Sequence, residues 1–366
     1  MPSSEYKASM PKMKLGFIGG GVNSAVGYTH VLASQLDGCF DLVAGCFSRD
    51  AGTNQASAEK FQVSSERCYA SVDDLLASEL GKLDAVCVLA PTPDHAELVA
   101  QSLRSGFNVI CEKALVTSIS EADDIAAVLK TSGRELLVTF NYVGYPMVRE
   151  ARAMIAAGAI GTVQQIFCEM PQESFARAET NPQDWRRQDY EIPCVSLDLG
   201  VHVCHMVNFV AGRADLQLVS GWEGSFGKIS NVIDTVCAIA TYGDDILVNL
   251  MWGKAALGNP NGLKFRIFGD RGSIEWHQAA PETLLFSNEF GARRTLERGQ
   301  PDLLEANKSR YNRFKAGHPA GFVEAFANIY EDFHNILAGD HNDSSYSSAE
   351  ASRGLRFLSD LHQKAA

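Results

Sequence analysis

The stretch Asp198-Leu199-Gly200-Val201-His202-Val203-Cys204-His205 carries the densest set of chemically capable side chains. Asp198 and His202 are four residues apart, which on an α-helix puts both on one face. A carboxylate beside an imidazole orients the ring and stabilises its cation, making His202 a competent acceptor of a hydroxyl proton. A purely structural Asp–His pair has the same spacing, so the spacing alone does not choose between the two. His205 follows within one turn. On a helix His202 and Cys204 diverge by about 200°, so no metal is expected there.

A second cluster lies near the N-terminus. The apolar run Leu15–Ile18 ends in Gly19-Gly20-Gly21-Val22-Asn23-Ser24, followed by a helix-like stretch to Leu36. This is G-x-G-x-x-S, with serine where the dinucleotide fingerprint has Gly or Ala. Gly19 permits the tight turn, and Gly21 lets backbone approach a pyrophosphate. Val22, Asn23 and Ser24 lead into a helix N-terminus whose N–H groups and dipole favour phosphate. The next strand ends Phe47-Ser48-Arg49-Asp50. Ser48 stands where an acidic residue would bind the adenosine ribose of NAD. A hydroxyl followed by the Arg49 guanidinium suits a 2′-phosphate, which leans the reading toward NADP, while Asp50 keeps NAD open.

Ligands in open α/β sheets sit beyond the carboxyl ends of the strands. That places Pro91, Pro93 and His95 near the cofactor, together with Glu112 and Lys113 at the end of Val109-Ile110-Cys111-Glu112-Lys113-Ala114. Lys113 is positioned to donate to a reacting oxygen and favour its alkoxide. A lysine after a strand is more often a surface residue, so position alone does not settle its role.

The elements that hold these residues fall into two patterns. Strand-like runs at Leu15–Ile18, Asp41–Phe47, Leu83–Ala90, Phe107–Cys111 and Glu135–Phe140 alternate with helix-like stretches, and the βα run reads as a six-strand parallel sheet. After a helix at Pro146–Ala157, strands follow one another: Val163–Met170, Leu216–Gly221, Val232–Tyr242, Ile246–Trp252, Leu263–Phe268 and Ser273–Trp276. Short turns between them favour antiparallel pairing. A helix at about Asp198–Ala211 interrupts the set, and two more near Ala320–Leu337 and Ser348–His362 close the chain. The expected division is residues 1–13 as a flexible extension, 14–140 as a dinucleotide-binding domain and 141–366 as a domain for substrate and oligomerisation.

Composition excludes other classes. A net charge of −12 without long single-sign runs argues against nucleic acid or an anionic membrane as the main partner. No apolar stretch reaches the roughly 18 residues of a membrane span, and the first residues lack a signal-peptide core. A cytoplasmic protein is expected. The nine cysteines are scattered, several in strand-like runs (Cys46, Cys87, Cys111, Cys168, Cys237), and read as small, buried, reduced side chains.

Taken together, Gly16-Phe17-Ile18-Gly19-Gly20-Gly21, Glu112-Lys113, Asp198-x-Gly-x-His202, Gly317-His318-Pro319 and Glu324-Ala325-Phe326-Ala327-Asn328 resemble the glucose–fructose oxidoreductase / inositol dehydrogenase / MocA family over nearly the whole chain. The resemblance implies an N-terminal Rossmann fold, a doubly wound parallel sheet, followed by an α+β domain with a large, mostly antiparallel open sheet. It implies NAD(P)-dependent oxidation of a ring hydroxyl of a sugar or cyclitol, or the reverse reaction. It maps the family's catalytic lysine onto Lys113 and its aspartate and histidine onto Asp198 and His202, with Asp198 orienting His202. It also implies a homodimer or homotetramer.

Two departures stand out. Ala114 replaces the proline of the family's E-K-P, so a cis bond there is expected to revert to trans. His205 stands where many members carry aspartate. Tyr142, Trp185, Arg186, His205 and His318 are the substrate-binding candidates, because aromatic and guanidinium groups stack on and hydrogen-bond sugar rings. Lys113, Asp198 and His202 would also serve a hydrolase or lyase acting through transient ring oxidation and elimination. A third reading, a cofactor-sensing regulator that has lost chemistry, is one that the intact Lys113, Asp198 and His202 argue against.

Overall fold

The computed structural model describes residues 11–315, 317–340 and 345–365. The first part alternates β1 (Met13–Gly19), α1 (Gly27–Leu36), β2 (Phe40–Cys46), α2 (Ala51–Lys60), α3 (Val72–Glu79), β3 (Ala85–Leu89), α4 (His95–Arg104), β4 (Asn108–Cys111), α5 (Ile119–Ser132) and β5 (Leu136–Val138). The strands are nearly continuous apolar runs because helices cover both sheet faces; β3 is buried at every position. They pair in parallel in the order β2-β1-β3-β4-β5, a doubly wound Rossmann sheet of five strands among the described residues. The sixth strand expected from sequence is not found among the described residues. After β5 the chain enters a 3₁₀ turn at Asn141–Gly144 and leaves for the second sheet.

That sheet follows α6 (Pro146–Ala156). It contains β6 (Val163–Pro171), β7 (Leu216–Gly224), β8 (Thr235–Tyr242), β9 (Ile246–Gly253), β10 (Lys264–Gly269), β11 (Gly272–His277), β12 (Thr283–Asn288) and β13 (Arg293–Glu297), with α7 (Val201–Ala211) inserted before β7. The order is β13-β12-β11-β10-β6-β9-β8-β7, antiparallel except where β6 meets β9. Alternation explains the single packed face. In β8, Val236, Ala238, Ala240 and Tyr242 point inward, while Cys237 is exposed. Cys237 thus departs from the expected burial, because it falls on the outward phase of its strand. All the cysteines are free thiols.

Two closing helices, α8 (Phe322–Leu337) and α9 (Ser348–Ala365), return to the first sheet. α8 packs on α1, and α9 lies against α5 and α7. A backbone bridge joins Leu137 to Ser347. The C-terminal segment therefore braces both sheets rather than only the second. Residues 1–10 of the expected extension lie outside the described residues. Residues 11–13 are tied down: the Pro11 carbonyl accepts from His334 Nε2 at 3.0 Å, Lys12 pairs with Asp41 at 3.0 Å, and Met13 opens β1. No described helix is long and apolar enough to cross a membrane.

Candidate active site

The glycine loop after β1 sits where the strand order reverses between β1 and β3, the ligand-binding crevice of this topology. Gly19 and Gly20 take left-handed φ values of +80° and +72°, which side chains resist. A Cβ on Gly21 would lie 2.8 Å from Ser57 Oγ and 3.0 Å from the Phe47 carbonyl, so that glycine is required by the neighbouring α2 and β2 as well. α1 begins at Gly27, shortly after the G-x-G-x-x-S loop. Gly27, rather than Ser24, is where the helix packs closely on the loop, since a Cβ there would overlap the Gly20 carbonyl. Ser24 instead caps the helix, its Oγ accepting from Gly27 N–H at 3.1 Å. Val22 gives its N–H to Ser57 Oγ at 3.0 Å and stands 41% exposed, outside the cavity lining.

A cavity of roughly 670 Å³ runs from Gly19, Gly21, Asn23 and Ser24 past Ser48, Arg49 and Pro91 to Glu112 and Lys113, with Gln183, Trp185 and Arg186 as its opposite wall. Pro93 and His95 do not line it. His95 is buried, with Nδ1 2.8 Å from the Ala114 carbonyl and Nε2 2.8 Å from the Ala90 carbonyl, so it braces the two strand ends that flank the cavity. The Lys113–Ala114 peptide is cis. The expected reversion to trans is thereby corrected: buried Ala114 occupies the same backbone position without a proline, its carbonyl fixed against His95.

At the end of β2, Asp50 caps α2, accepting from Thr53 N at 2.8 Å and Thr53 Oγ1 at 2.7 Å. That carboxylate is committed. Ser48 Oγ accepts from Asp50 N at 3.1 Å, and the Arg49 side chain is 89% exposed, touching only Asp94 at 3.5 Å. Glu112 lines the cavity but turns its carboxylate inward, to His30 Nε2 at 3.0 Å and to Thr139 Oγ1. His30 Nδ1 in turn meets the Tyr330 hydroxyl at 2.8 Å, which links β4, α1 and α8 behind Lys113.

Lys113 reaches from the first sheet to the second. Its Nζ donates to Asp198 Oδ1 and to the Asp198 carbonyl, both at 2.8 Å. That geometry depends on a local departure from the α-helix. Ser196–Gly200 form a π turn, with Val201 N–H bonding Ser196 O. Ser196 Oγ is held by Trp252 Nε1 at 3.1 Å, and Gly200 is required because a Cβ would come within 2.9 Å of Trp252 and Leu358. Single π turns of this kind recur at functional sites.

Asp198 does not hold the His202 ring. Its oxygens accept from Lys113, from Arg186 Nε at 2.9 Å and Nη2 at 3.3 Å, and from Lys254 Nζ. The expected Asp198-to-His202 hydrogen bond is corrected on two grounds: the backbone is π rather than α at Asp198, and three cations occupy the carboxylate. Burial alone would raise the Asp198 carboxyl, but Lys113, Lys254 and Arg186 outweigh it and hold it well below the usual carboxylate range. Burial, reinforced by the Lys113 ammonium, pushes His202 well below the usual imidazole range against the opposing pull of Asp198. His202 is therefore neutral, and Tyr142 packs edge-on against it at 4.6 Å between ring centres.

The substrate-binding candidates separate. Trp185 and Arg186 stand on the cavity wall, the guanidinium 4.2 Å over the indole ring. Tyr142 is buried beside His202, its hydroxyl accepting from Asn261 Nδ2 at 2.8 Å. His205 stacks on Phe140 at 3.8 Å, and its Nε2 donates to the Ser345 carbonyl at 2.7 Å. His318 lies on an exposed loop ahead of α8, with Nδ1 3.0 Å from the Lys315 carbonyl, and it lines neither cleft. Lys254 was missed. It follows the apolar strand β9, where sequence shows only a lysine at a strand end. It lines a second cleft of roughly 530 Å³ together with Asp198, Arg186, Gln172 and Phe175. Among the described residues no His, Cys, Asp and Glu group is arranged to hold a metal ion.

Residues 13–140 match the profile described as "Oxidoreductase family, NAD-binding Rossmann fold". Residues 148–275 match the "GFO/IDH/MocA C-terminal domain". The chain belongs to the GFO/IDH/MocA oxidoreductase family. One relative is the uncharacterized oxidoreductase YfiI of Bacillus subtilis, 29% identical over 349 residues, covering 91% of this chain and 87% of the relative. Another is the myo-inositol dehydrogenase Hyg17 of Streptomyces leeuwenhoekii, 30% identical over 211 residues, 56% of this chain and 61% of that one. Among solved structures, an inositol dehydrogenase homolog of Azotobacter vinelandii complexed with NADH and myo-inositol superposes with a TM-score of 0.87 at 26% identity, covering 97% of this chain and 95% of that one. This GFO/IDH/MocA member is thus an oxidoreductase with an NAD-binding Rossmann domain, and its cavity suits a dinucleotide in size, position and glycine cradle.

Proposed function

We propose that this oxidoreductase interconverts a ring hydroxyl and a ketone on a sugar, sugar derivative or cyclitol. The observation that carries the reading is the bonding of Lys113, at the end of the dinucleotide cavity, to ionised Asp198, with neutral His202 buried close enough to feel the Lys113 ammonium though it lines neither cleft. The dinucleotide, when bound, supplies the hydride acceptor. Gly19, Gly21, Asn23 and Ser24 would hold its phosphates, and Pro91 and Lys113 would flank its nicotinamide end. His202 accepts the hydroxyl proton, which a neutral imidazole can do at neutral pH. Lys113 stabilises the developing alkoxide, and Asp198 fixes the Lys113 ammonium in place. The base is assigned to His202 rather than His205, whose ring is stacked on Phe140 and held through Nε2 by the Ser345 carbonyl.

One relative named as a myo-inositol dehydrogenase, and a solved inositol dehydrogenase homolog complexed with myo-inositol, support the hydroxyl-bearing ring as substrate class. Asp50, engaged as a helix cap, and exposed Arg49, paired only loosely with Asp94, support NADP at least as well as NAD. Exposed Val219, Trp222, Ile239 and Leu247 on the second sheet support a homo-oligomer, which sedimentation would measure. The test of the function is to supply NAD and NADP with a panel of sugars and cyclitols and follow reduced nicotinamide. Accumulation with at least one ring hydroxyl donor is expected. A panel that binds without any reduction of cofactor would count against the reading.

A further inference from the structure

The charges around Asp198 do not balance. Lys113, Arg186 and Lys254 all bond to one carboxylate. The side chains are 16%, 24% and 6% exposed, against 8% for Asp198. Glu112 offsets part of the Lys113 charge, so the excess positive charge lies with Arg186 and Lys254 in a poorly solvated place, and buried charges require partners.

The donors are not equivalent. Arg186 spends its guanidinium on Asp198 and Gln183. Lys113 spends two donors on Asp198 and faces the dinucleotide cavity. Lys254 bonds Asp198 Oδ2, the oxygen opposite the one Lys113 takes, and lies over the Phe175 ring at 5.2 Å. An ammonium has three donors. Asp198 is the only hydrogen-bond acceptor of Lys254 Nζ among the described residues, so two donors remain available. Lys254 lines the second cleft and not the first. The Asp198 carboxylate thus separates it from the alkoxide partner Lys113. The cleft is also lined by Arg177, which Glu173 neutralises, and by exposed Glu179, whose carboxylate makes no ion pair with Lys254.

We propose that the second cleft selects a ring substrate bearing an anionic oxygen group, a carboxylate or a phosphate, which Lys254 binds away from the reacting carbon. This rests on the hydroxyl-oxidation reading for the orientation of the ring and narrows its substrate class to sugar acids or sugar phosphates. Charge-assisted hydrogen bonds from a nearly buried ammonium are among the stronger polar contacts available to such a site.

The test uses the cofactor-loaded protein and matched probes: D-glucuronate, D-glucose 6-phosphate and D-glucose, then D-galacturonate, D-galactose 6-phosphate and D-galactose. Binding is measured by calorimetry, so the outcome does not depend on turnover. At least one anionic member is expected to bind ten-fold or more tightly than its neutral partner, and which member does so separates carboxylate from phosphate. In Lys254→Met that anionic-to-neutral ratio falls at least ten-fold, while Lys254→Arg retains most of it. Equal or weaker binding of every anionic member, or a ratio unchanged in Lys254→Met, overturns the proposal. Selective anion binding without any cofactor reduction would leave the inference standing and count against the hydroxyl-oxidation reading instead.

Discussion

Lys113 and Asp198 are joined twice, the ammonium donating to the side chain and to the backbone carbonyl of the same residue at 2.8 Å each. One residue ends a strand of the parallel sheet and the other lies in the π turn before α7, so the bond crosses between the two halves of the molecule. Lys113→Met removes both contacts and the charge beside the reacting oxygen. Turnover is expected to fall roughly 10²–10³-fold, with dinucleotide affinity changed far less, as measured by steady-state rates and cofactor titration.

Asp198→Asn orphans three buried or half-buried cations. Breaking such a buried network costs about 3–5 kcal/mol, which urea unfolding would show. Lys254→Met in the same chain removes one of the orphaned charges and is expected to recover part of that loss. Strict additivity of the two changes would mean that the residues are not coupled.

The pH dependence follows from His202. Its folded-state pKa lies below the ordinary imidazole value of about 6.5, because burial and Lys113 disfavour the cation. The ring stays unprotonated as pH falls through that value, so the acid limb of kcat/KM in the oxidative direction lies below it. Lys113→Met removes a charge that opposes protonation, and the limb moves up. A limb at or above the ordinary value in the wild type would show that another group titrates.

Ser48→Asp places a carboxylate at the end of β2, beside exposed Arg49. It is expected to shift the ratio of NADP to NAD affinity toward NAD by roughly ten-fold or more, an effect of the size of one charged hydrogen bond. A wild type that already prefers NAD strongly would remove the basis for the NADP reading.

Much of this was legible in the sequence because periodicity and glycine placement are local properties. Continuous apolar runs announce parallel strands, and Gly19 with Gly21 marks the loop at the first strand end. Lys113, Asp198 and His202 were found by type and spacing. Their connections were not, because the i, i+4 rule assumes an α-helix and Ser196–Gly200 winds as a π turn. Lys254 lies 56 residues from Asp198 along the chain, and only strand pairing brings it back. Strands β12 and β13 were missed for a similar reason. They lie at and next to one edge of the second sheet, and the outer strand, Arg293–Glu297, is mostly charged and exposed, with little apolar alternation to read. The acceptor of His205 Nε2 is the Ser345 carbonyl, 140 positions away, which spacing within one helix cannot reveal.

His202 and His205 make a paired test of the base. His202→Ala is expected to lower turnover by roughly 10²–10⁴-fold while cofactor binding, in a cavity that His202 does not line, is retained. His205→Ala leaves a cavity beside Phe140 and lowers stability more than it lowers turnover per folded molecule. The opposite ranking would assign the base to His205.

The most direct test of the central claim is stoichiometric. On the best substrate of the panel, reduced nicotinamide is counted against substrate consumed at saturating oxidised cofactor. Net hydride transfer predicts one reduced cofactor for each ring oxidised, with deuterium from the oxidised carbon appearing in the nicotinamide. Substrate consumption with no net reduced cofactor would contradict the account and show that oxidation here is transient, the cofactor being restored within each turnover.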